Sequence, residues 1–384
     1  MLEYIKRKDT DSVKWDGLES TFGSDGLLPL WVADMDFRVD EKIRKAVSEY
    51  MDRGIYGYYA VPDSYYEAFI DWEQEEHGLK VERDWIRYSP GVVSGFNFAL
   101  QVLTEPGDAV IVNTPVYYPF LHAVENNNRR LICSELINDG GRYYIDFEDF
   151  EERIVKNNVR AFILCSPHNP VSRVWSADEL KKLLDICRRH DVAIISDEIH
   201  HDLTFFGSVH IPTLTLADEN DRIIMFTAAS KTFNTAALKN SFAVISNPGL
   251  REKWDSFMTG LRINGGNPLG YIAAETAYRF SKPWLAEVKA VIESNYEYIR
   301  DEFAAHLPEV CMTPLEATYL AWADFSAYFA PEELQPFMQD KCRLAFDYGS
   351  WFGGSRSGSF IRINLATYEK NIKEMVDRII SGIQ

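Results

Sequence analysis

The chain has 384 residues, of which 46% are hydrophobic and 26% are charged, a composition typical of a globular protein whose core needs no disulfide or metal. Its 40 Lys and Arg against 58 Asp and Glu give a net charge of −18, which argues against non-specific binding to nucleic acid or anionic membranes. The five cysteines are scattered without a CxxC pair, as expected of reduced thiols, and no stretch reaches the roughly 18 apolar residues of a membrane span.

The N-terminus does not resemble a targeting segment. Residues 1–16 are charged throughout and contain no apolar signal region. We therefore expect a cytoplasmic protein, and the length favours two domains.

The middle of the chain alternates strand-like and helix-like segments. A helix opened by a capping box is predicted from Ser176, with Glu179 three residues later and apolar residues at i, i+3, i+4 and i+7. Short apolar runs predict strands that are buried on both faces, at 109–112, 161–165, 192–196 and 223–227. This alternation predicts an α/β domain around a largely parallel sheet.

The pattern changes near residue 281. A long helix is predicted over 283–306, followed by shorter elements, namely strands near 318–322 and 360–364 and helices near 331–342 and 367–383. We predict a large α/β domain over 45–282, and a smaller α+β domain made of 1–44 and 283–384.

The first chemical signal in chain order is the segment 89–94, which opens an apolar helix-like stretch. The free N–H groups of Val92 and Val93 at a helix start can bind a phosphate, although the segment also fits an ordinary helix N-terminus. Tyr117 lies in the segment 114–119 and can stack on a flat ring, although a lone aromatic is more often part of a core.

Two further signals follow predicted strands. Asn169, in a turn rich in proline, can donate its amide to a phenolate oxygen. Asp197 can keep a pyridinium nitrogen protonated, because an opposite charge favours the charged form. The segment 197–202 is rich in Asp, Glu and His, which raises a metal site as an alternative. Its spacing matches no usual zinc pattern, so no metal ligand is predicted.

Two cationic residues complete the set. Lys231 follows the strand run 223–227 and can form an imine with a carbonyl cofactor, although most lysines are solvated surface charges. Arg362 can hold a carboxylate with two parallel hydrogen bonds. Strand ends are where open α/β sheets bind ligands.

Together and in this order, these segments resemble the fold-type I pyridoxal 5′-phosphate (PLP) enzymes of the aspartate aminotransferase superfamily. The resemblance extends from about residue 31 to the end of the chain. It is closest to the MalY/PatB group of cystathionine β-lyases and cysteine-S-conjugate β-lyases, on the stretches Leu-Pro-Leu-Trp-Val-Ala-Asp-Met-Asp-Phe at 28–37, Tyr-Gly-Tyr at 56–58 and Ser-Lys-Thr-Phe-Asn at 230–234.

This resemblance implies a fold and a cofactor. The fold is a large domain with a mostly parallel sheet of seven strands flanked by helices, joined to a smaller α+β domain. PLP is held as a Schiff base on Lys231, which then carries protons during the reaction, and Ser230 beside it also contacts the cofactor. Asp197 pairs with the pyridine nitrogen.

The resemblance also assigns the remaining contacts. Asn169 and His200 face the phenolate oxygen, and Tyr117 stacks on the ring. The Val92 and Val93 amides hold the phosphate.

The same resemblance implies how the substrate and a second subunit are bound. Arg362 binds the substrate α-carboxylate. Tyr58 reaches the phosphate of the neighbouring subunit, which implies a homodimer. Two residues depart from the superfamily pattern: Ser172 stands where glycine is usual, so the local turn is open to change, and Lys239 stands near an arginine position and can offer its charge to the phosphate.

The implied activity is β-elimination from cystathionine or related L-cysteine S-conjugates, which yields pyruvate, ammonia and a thiol. The alternative is a class I/II aminotransferase acting on amino acids, because the same residues serve both reactions. A third interpretation, a PLP-binding regulator without catalysis, is disfavoured by the acidic charge and by the absence of a recognisable DNA-binding segment.

Overall fold

The computed structural model describes residues 2–263 and 265–384. The strands are β1 (Leu28–Pro29), β2 (Ile86–Ser89), β3 (Ala109–Thr114), β4 (Arg130–Glu135), β5 (Ile137–Asp139), β6 (Arg142–Tyr144), β7 (Val159–Cys165), β8 (Ala193–Asp197), β9 (Ile223–Thr227), β10 (Ser241–Val244), β11 (Cys311–Met312), β12 (Leu320–Asp324), β13 (Leu344–Ala345), β14 (Asp347–Tyr348) and β15 (Phe360–Asn364).

The helices lie between and after these strands. They are α1 (Val13–Asp16), α2 (Leu18–Phe22), α3 (Glu41–Met51), α4 (Asp63–His77), α5 (Val92–Leu103), α6 (Pro119–Asn126), α7 (Phe147–Asn157), α8 (Ala177–Arg189), α9 (Ala229–Thr232), α10 (Pro248–Leu261), α11 (Pro268–Phe280), α12 (Lys282–His306), α13 (Pro331–Pro336) and α14 (Glu369–Ile383).

The large sheet carries the candidate site. Within the described ranges it has seven strands in the order β2-β10-β9-β8-β7-β3-β4. Neighbours from β9 to β4 pair in parallel, whereas β10 runs antiparallel to both β2 and β9. The predicted α/β fold with a mostly parallel sheet of seven strands is confirmed.

The apolar runs of the sequence become the centre of this sheet. The runs predicted as strands correspond to β3, β7, β8 and β9, and every residue of β3, β8 and β9 is buried. Runs of this kind are stable only when helices cover both faces of the sheet. The apolar runs therefore indicate that helices cover both faces of the sheet, in addition to predicting the strands themselves.

Helix α8 shows how one covering helix is specified. The Ser176 side chain accepts from the Glu179 N–H, and the Glu179 carboxylate accepts from the Ser176 N–H, so the predicted capping box is present. Leu180, Leu183 and Leu184 lie on the buried face of the helix, as the spacing predicted.

The C-terminal part forms a second sheet. Among the described residues its order is β11-β12-β15-β14, all antiparallel, and the long helix α12 packs against α14 beside it. The long helix predicted at 283–306 is confirmed, whereas the helix predicted near 331–342 is short and continues into a π-helical turn over 337–341. The division at residues 45 and 282 stays a prediction.

Two features of composition are settled by the structure. All five cysteines, each of which lies in the described ranges, carry free thiols. Over these same ranges, none of the helices combines the length and apolar character required to span a bilayer.

Candidate active site

Segments that follow five strands of the large sheet converge on one cavity. Strands β2, β3, β7, β8 and β9 point the same way, because β10 alone among the seven described strands is reversed. The carboxyl ends of parallel strands meet at one edge of the sheet. The cavity at this edge is about 150 Å³ in volume.

Most of the predicted cofactor residues line this cavity. They are Val92, Val93, Tyr117, Asn169, Asp197, His200, Ser230 and Lys231. The structure therefore brings eight residues from separate segments together, while the role of each stays a prediction.

Two glycines shape the end of the cavity at helix α5. Gly91, just before the helix, has a φ of +99°, which favours glycine. A Cβ on Gly95 would lie 2.5 Å from the Phe226 ring, so only glycine lets α5 approach the sheet this closely. The first-turn amides of α5, including those of Val92 and Val93, have no carbonyl partner inside the helix and are available to an anion.

Lys231 lies at the wall of the cavity. Its Nζ donates to the Ala33 carbonyl oxygen at 2.6 Å. Burial lowers the pKa of Lys231 to about 8, although the carboxylate of Asp34 opposes the shift. A lysine with this pKa has a much larger neutral fraction near pH 8 than an exposed lysine, as a nucleophilic amine requires.

Asp197 ends strand β8 and also lines the cavity. Its Oδ1 accepts from the Ile199 N–H at 3.1 Å. Burial raises the pKa of the Asp197 carboxyl to about 7, and the Ile199 N–H and Lys231 oppose the shift. A cation bound next to this carboxylate would return it to its ionised form, so Asp197 fits a protonated ring nitrogen.

Arg362, the predicted carboxylate ligand, does not itself line the cavity but contacts Asn169, which does. It pairs with the buried Asp347 carboxylate, and it donates to Asn169 Oδ1 at 3.1 Å and to the Trp31 carbonyl at 3.2 Å. Because Asn169 Oδ1 faces Arg362, the amide nitrogen of Asn169 is directed elsewhere and is free to donate to a ligand.

His200 and Tyr117 are the aromatic residues of the cavity. His200 Nδ1 is buried and has no hydrogen-bond partner among the described residues. Burial lowers the pKa of His200 well below its usual value, so its ring is neutral. Burial raises the pKa of Tyr117, which is therefore an uncharged ring surface.

Tyr58 is the one predicted cofactor residue that this chain does not bring to its own cavity. Its side chain is fully exposed, and it is absent from the cavity lining. A contact to another subunit requires an exposed position, which Tyr58 has, and the contact itself stays a prediction.

The two departures from the superfamily pattern have different structural outcomes. Ser172 keeps the left-handed backbone that glycine would favour, with a φ of +55°, and its Oγ donates to the Leu320 carbonyl at 2.7 Å. Lys239 lines the cavity beside Gly91 and is otherwise exposed. Its charge is thus near the first turn of α5, where the phosphate is expected.

Three residues of the site were missed by sequence reasoning. Ala33 supplies the carbonyl that holds Lys231, and the Tyr319 hydroxyl donates to the same carbonyl at 2.8 Å. Asp347 is the ionic partner of Arg362. Ala33 lies in the stretch 28–37 that carries the family resemblance, but Tyr319, just before β12, and Asp347, on the two-residue strand β14, have no motif around them.

Comparison with known proteins agrees with this geometry. Residues 27–379 match the family model described as aminotransferase class I and II. Cystathionine beta-lyase PatB from Bacillus subtilis (strain 168) is 40% identical, and the match covers 96% of this chain and 97% of PatB.

Solved structures agree along the whole chain. Cystalysin from Treponema denticola, whose crystal structure contains a PLP cofactor, matches with a TM-score of 0.93 and 36% identity over 99% of this chain and 97% of its own. The PLP-bound C–S lyase from Staphylococcus hominis matches with a TM-score of 0.93 and 31% identity over the same shares. The chain therefore belongs to the class I and II aminotransferase family, which its sequence and its fold both match.

Proposed function

We propose that this protein is a PLP-dependent carbon–sulfur β-lyase, which releases pyruvate, ammonia and a thiol from cystathionine or related L-cysteine S-conjugates. The similarity to the cystathionine β-lyase PatB along nearly the full length of both chains is the observation that carries this proposal. The cavity supplies the chemical groups that the reaction needs.

The residues around the cavity fit PLP. An amine with a lowered pKa and a carboxylate both line the cavity, and the first-turn amides of α5 suit a phosphate. His200 Nδ1 is a buried polar atom, without a partner among the described residues, that a ligand oxygen can satisfy. When bound, PLP supplies an aldehyde that condenses with amines and a cationic ring that accepts the electrons released at the substrate Cα.

Lys231 is proposed to hold the cofactor and then to move the proton at Cα. Once the substrate amine takes its place, the Nζ is free and remains in the cavity beside the Ala33 carbonyl. Because burial lowers the pKa of Lys231 to about 8, the neutral amine can accept the Cα proton and later return a proton to the departing sulfur.

Arg362 is proposed to orient the substrate through its α-carboxylate. A guanidinium binds a carboxylate with two parallel hydrogen bonds and so fixes the direction of the bonds at Cα. The Asp347 carboxylate and Asn169 Oδ1 hold the guanidinium in place before the substrate arrives, which reduces the cost of ordering it.

A homodimer belongs to the same proposal. Tyr58 is exposed in the single chain, and we propose that it donates to the phosphate in the neighbouring subunit. Free thiols at all five cysteines, which lie within the described ranges, fit a reducing compartment such as the cytoplasm.

An aminotransferase is the second candidate, because the matching family model carries that description and the residues named above serve both reactions. The two are separated by incubating the PLP-loaded protein with cystathionine without any keto acid. A lyase releases pyruvate and free thiol in equal amounts. Product formation that requires an added keto acid would instead identify a transferase and contradict the proposal.

A further inference from the structure

A second group of chemically reactive side chains lies on the other side of the segment 197–202. His200 lines the active-site cavity, whereas His201 and Asp202 face away from it and meet Glu73 and His77 of helix α4. We call Glu73, His77, His201 and Asp202 the Glu73 cluster. None of its members lines the active-site cavity.

Glu73, His77 and His201 are close enough to share one ion, and Asp202 contacts both histidines. Ligand atoms of Glu73, His77 and His201 all lie within 4.8 Å of one another. Asp202 Oδ1 is 2.7 Å from His77 Nε2, and Asp202 Oδ2 is 3.2 Å from His201 Nε2. His201 Nε2 is 3.7 Å from Glu73 Oε1.

The buried Glu73 carboxylate gives independent evidence that the cluster binds a ligand. The residue is completely buried, and neither carboxylate oxygen accepts a hydrogen bond from any residue in the described part of the chain. Its separation from His201 is too long for a hydrogen bond. A buried carboxylate without a partner is costly, and native proteins seldom keep one unless it binds an ion or another group.

We propose that the Glu73 cluster binds one divalent transition-metal ion of the Zn²⁺ type. Two imidazoles and carboxylate oxygens are the ligand set that zinc accepts. Metal–ligand bonds of about 2.0–2.1 Å in a tetrahedron place neighbouring ligand atoms about 3.3 Å apart. The 3.7 Å between Glu73 Oε1 and His201 Nε2 is near that value, and the ligand atoms of Glu73, His77 and His201 all lie within 4.8 Å of one another.

The charges of the cluster suit the ion. As metal ligands, two carboxylates and two imidazoles would be deprotonated and carry a charge of −2, which a divalent cation neutralises inside the protein. Asp202 is already oriented, because Trp72 Nε1 donates to its Oδ1 at 2.9 Å and Thr232 Oγ1 donates to its Oδ2 at 2.6 Å. Donors behind a metal-binding carboxylate commonly fix its direction in this way.

An ion has a route to the cluster. A cavity of about 470 Å³ is lined by His77, His201 and Asp202. The two lysines in its wall are already engaged, since Lys282 pairs with Glu76 and Lys289 donates to the Asp202 backbone carbonyl at 3.2 Å. Thr232 directly follows Lys231, so the bound ion would anchor the segment that carries the active-site amine.

The test is zinc binding by the PLP-loaded protein after it has been stripped with a chelator and dialysed. Zinc per chain is counted by mass spectrometry after equilibration with ZnCl2, and the thermal midpoint is measured with and without the ion. We expect one equivalent of zinc and a higher midpoint, because an ion bound only by the folded state stabilises it. Neither readout depends on lyase activity.

The variants Glu73→Gln and His201→Ala should each weaken zinc binding at least tenfold and abolish the rise in midpoint. His190→Ala is the matched control, because His190 forms a similar pair with Glu151 at 2.7 Å on the surface and should bind zinc like the wild type. If a cluster variant does not fold, the visible spectrum of the wild-type protein with bound Co²⁺ provides the test. A four-coordinate cobalt site should give intense visible bands. No stoichiometric zinc, unchanged binding in Glu73→Gln, or a cobalt spectrum like that of the aqueous ion would each overturn the proposal.

Discussion

The two faces of the segment 197–202 hold their charged groups in different ways. On the cavity face, Asp197 is buried and Lys231 is partly buried, both with few partners, and burial shifts the pKa of each toward its neutral form. On the other face, Asp202 accepts from Trp72 and Thr232 and contacts two imidazoles. The comparison teaches that the cavity face keeps its charged groups with few partners, whereas on the other face Asp202 has its hydrogen bonds satisfied and, within the described ranges, only Glu73 of the cluster is left without one.

The largest effect expected on the cavity face is from Lys231→Ala. This variant loses the amine that holds PLP and moves the proton, so pyruvate release should fall by a factor of about 1,000 or more. The visible band that borohydride bleaches should also disappear. Zinc binding at the Glu73 cluster should not change, and a variant that retained the wild-type rate would contradict the role of Lys231.

Asp197→Asn is expected to lower turnover but to raise the stability of the cofactor-free protein. In the folded state the pKa of Asp197 is raised to about 7, so the folded protein binds this proton more tightly than the unfolded chain between about pH 4 and 7. Stability of the cofactor-free protein therefore falls as pH rises through that window, and the full penalty is present above pH 7.

The asparagine variant removes that penalty. At pH 8 the cofactor-free variant should be more stable to urea by up to about 4 kcal/mol, and below pH 4 it should match the wild type. Its turnover with PLP should nevertheless be severely reduced, because the cationic ring loses its ionic partner. Equal urea midpoints for the variant and the wild type at pH 8 would show that the buried Asp197 carboxylate does not destabilise the folded protein.

The smallest effect is expected at Thr232, which follows Lys231 in the chain and contacts Asp202 on the other face. Thr232→Val keeps the shape of the side chain but removes the hydrogen bond to Asp202 Oδ2, which should destabilise the protein by about 1.5 kcal/mol. Activity should change little at a temperature where the variant is folded. Thr232→Ser, which retains the hydroxyl, is the control, and a urea midpoint as low as that of the valine variant would argue against a role for this bond.

Much of the cavity could be predicted because its residues follow recognisable strands. The apolar runs that become β7, β8 and β9 predict where the chain leaves the sheet, and Asn169, Asp197 and Lys231 follow soon after those ends. Since the ends of parallel strands share one edge, their proximity follows from the strand pattern alone.

Other residues of the site could not be found in this way. Asp347 meets Arg362 through the pairing of β14 with β15, and β14 is only two residues long. A strand this short leaves no period-2 pattern in the sequence. The segment 197–202 likewise does not predict a metal site, because its spacing matches no known ligand pattern and Glu73 and His77 lie far away in the sequence.

By itself the sequence determined the strands, the capped helix α8 and the order of the motifs, because burial periodicity and capping act over a few neighbouring residues. Only the tertiary structure decided that the Ala33 carbonyl holds Lys231 and that Glu73 and His77 face His201. These partners are separated by more than a hundred residues along the chain. Contacts over such distances depend on how whole elements pack, and local patterns do not encode that packing.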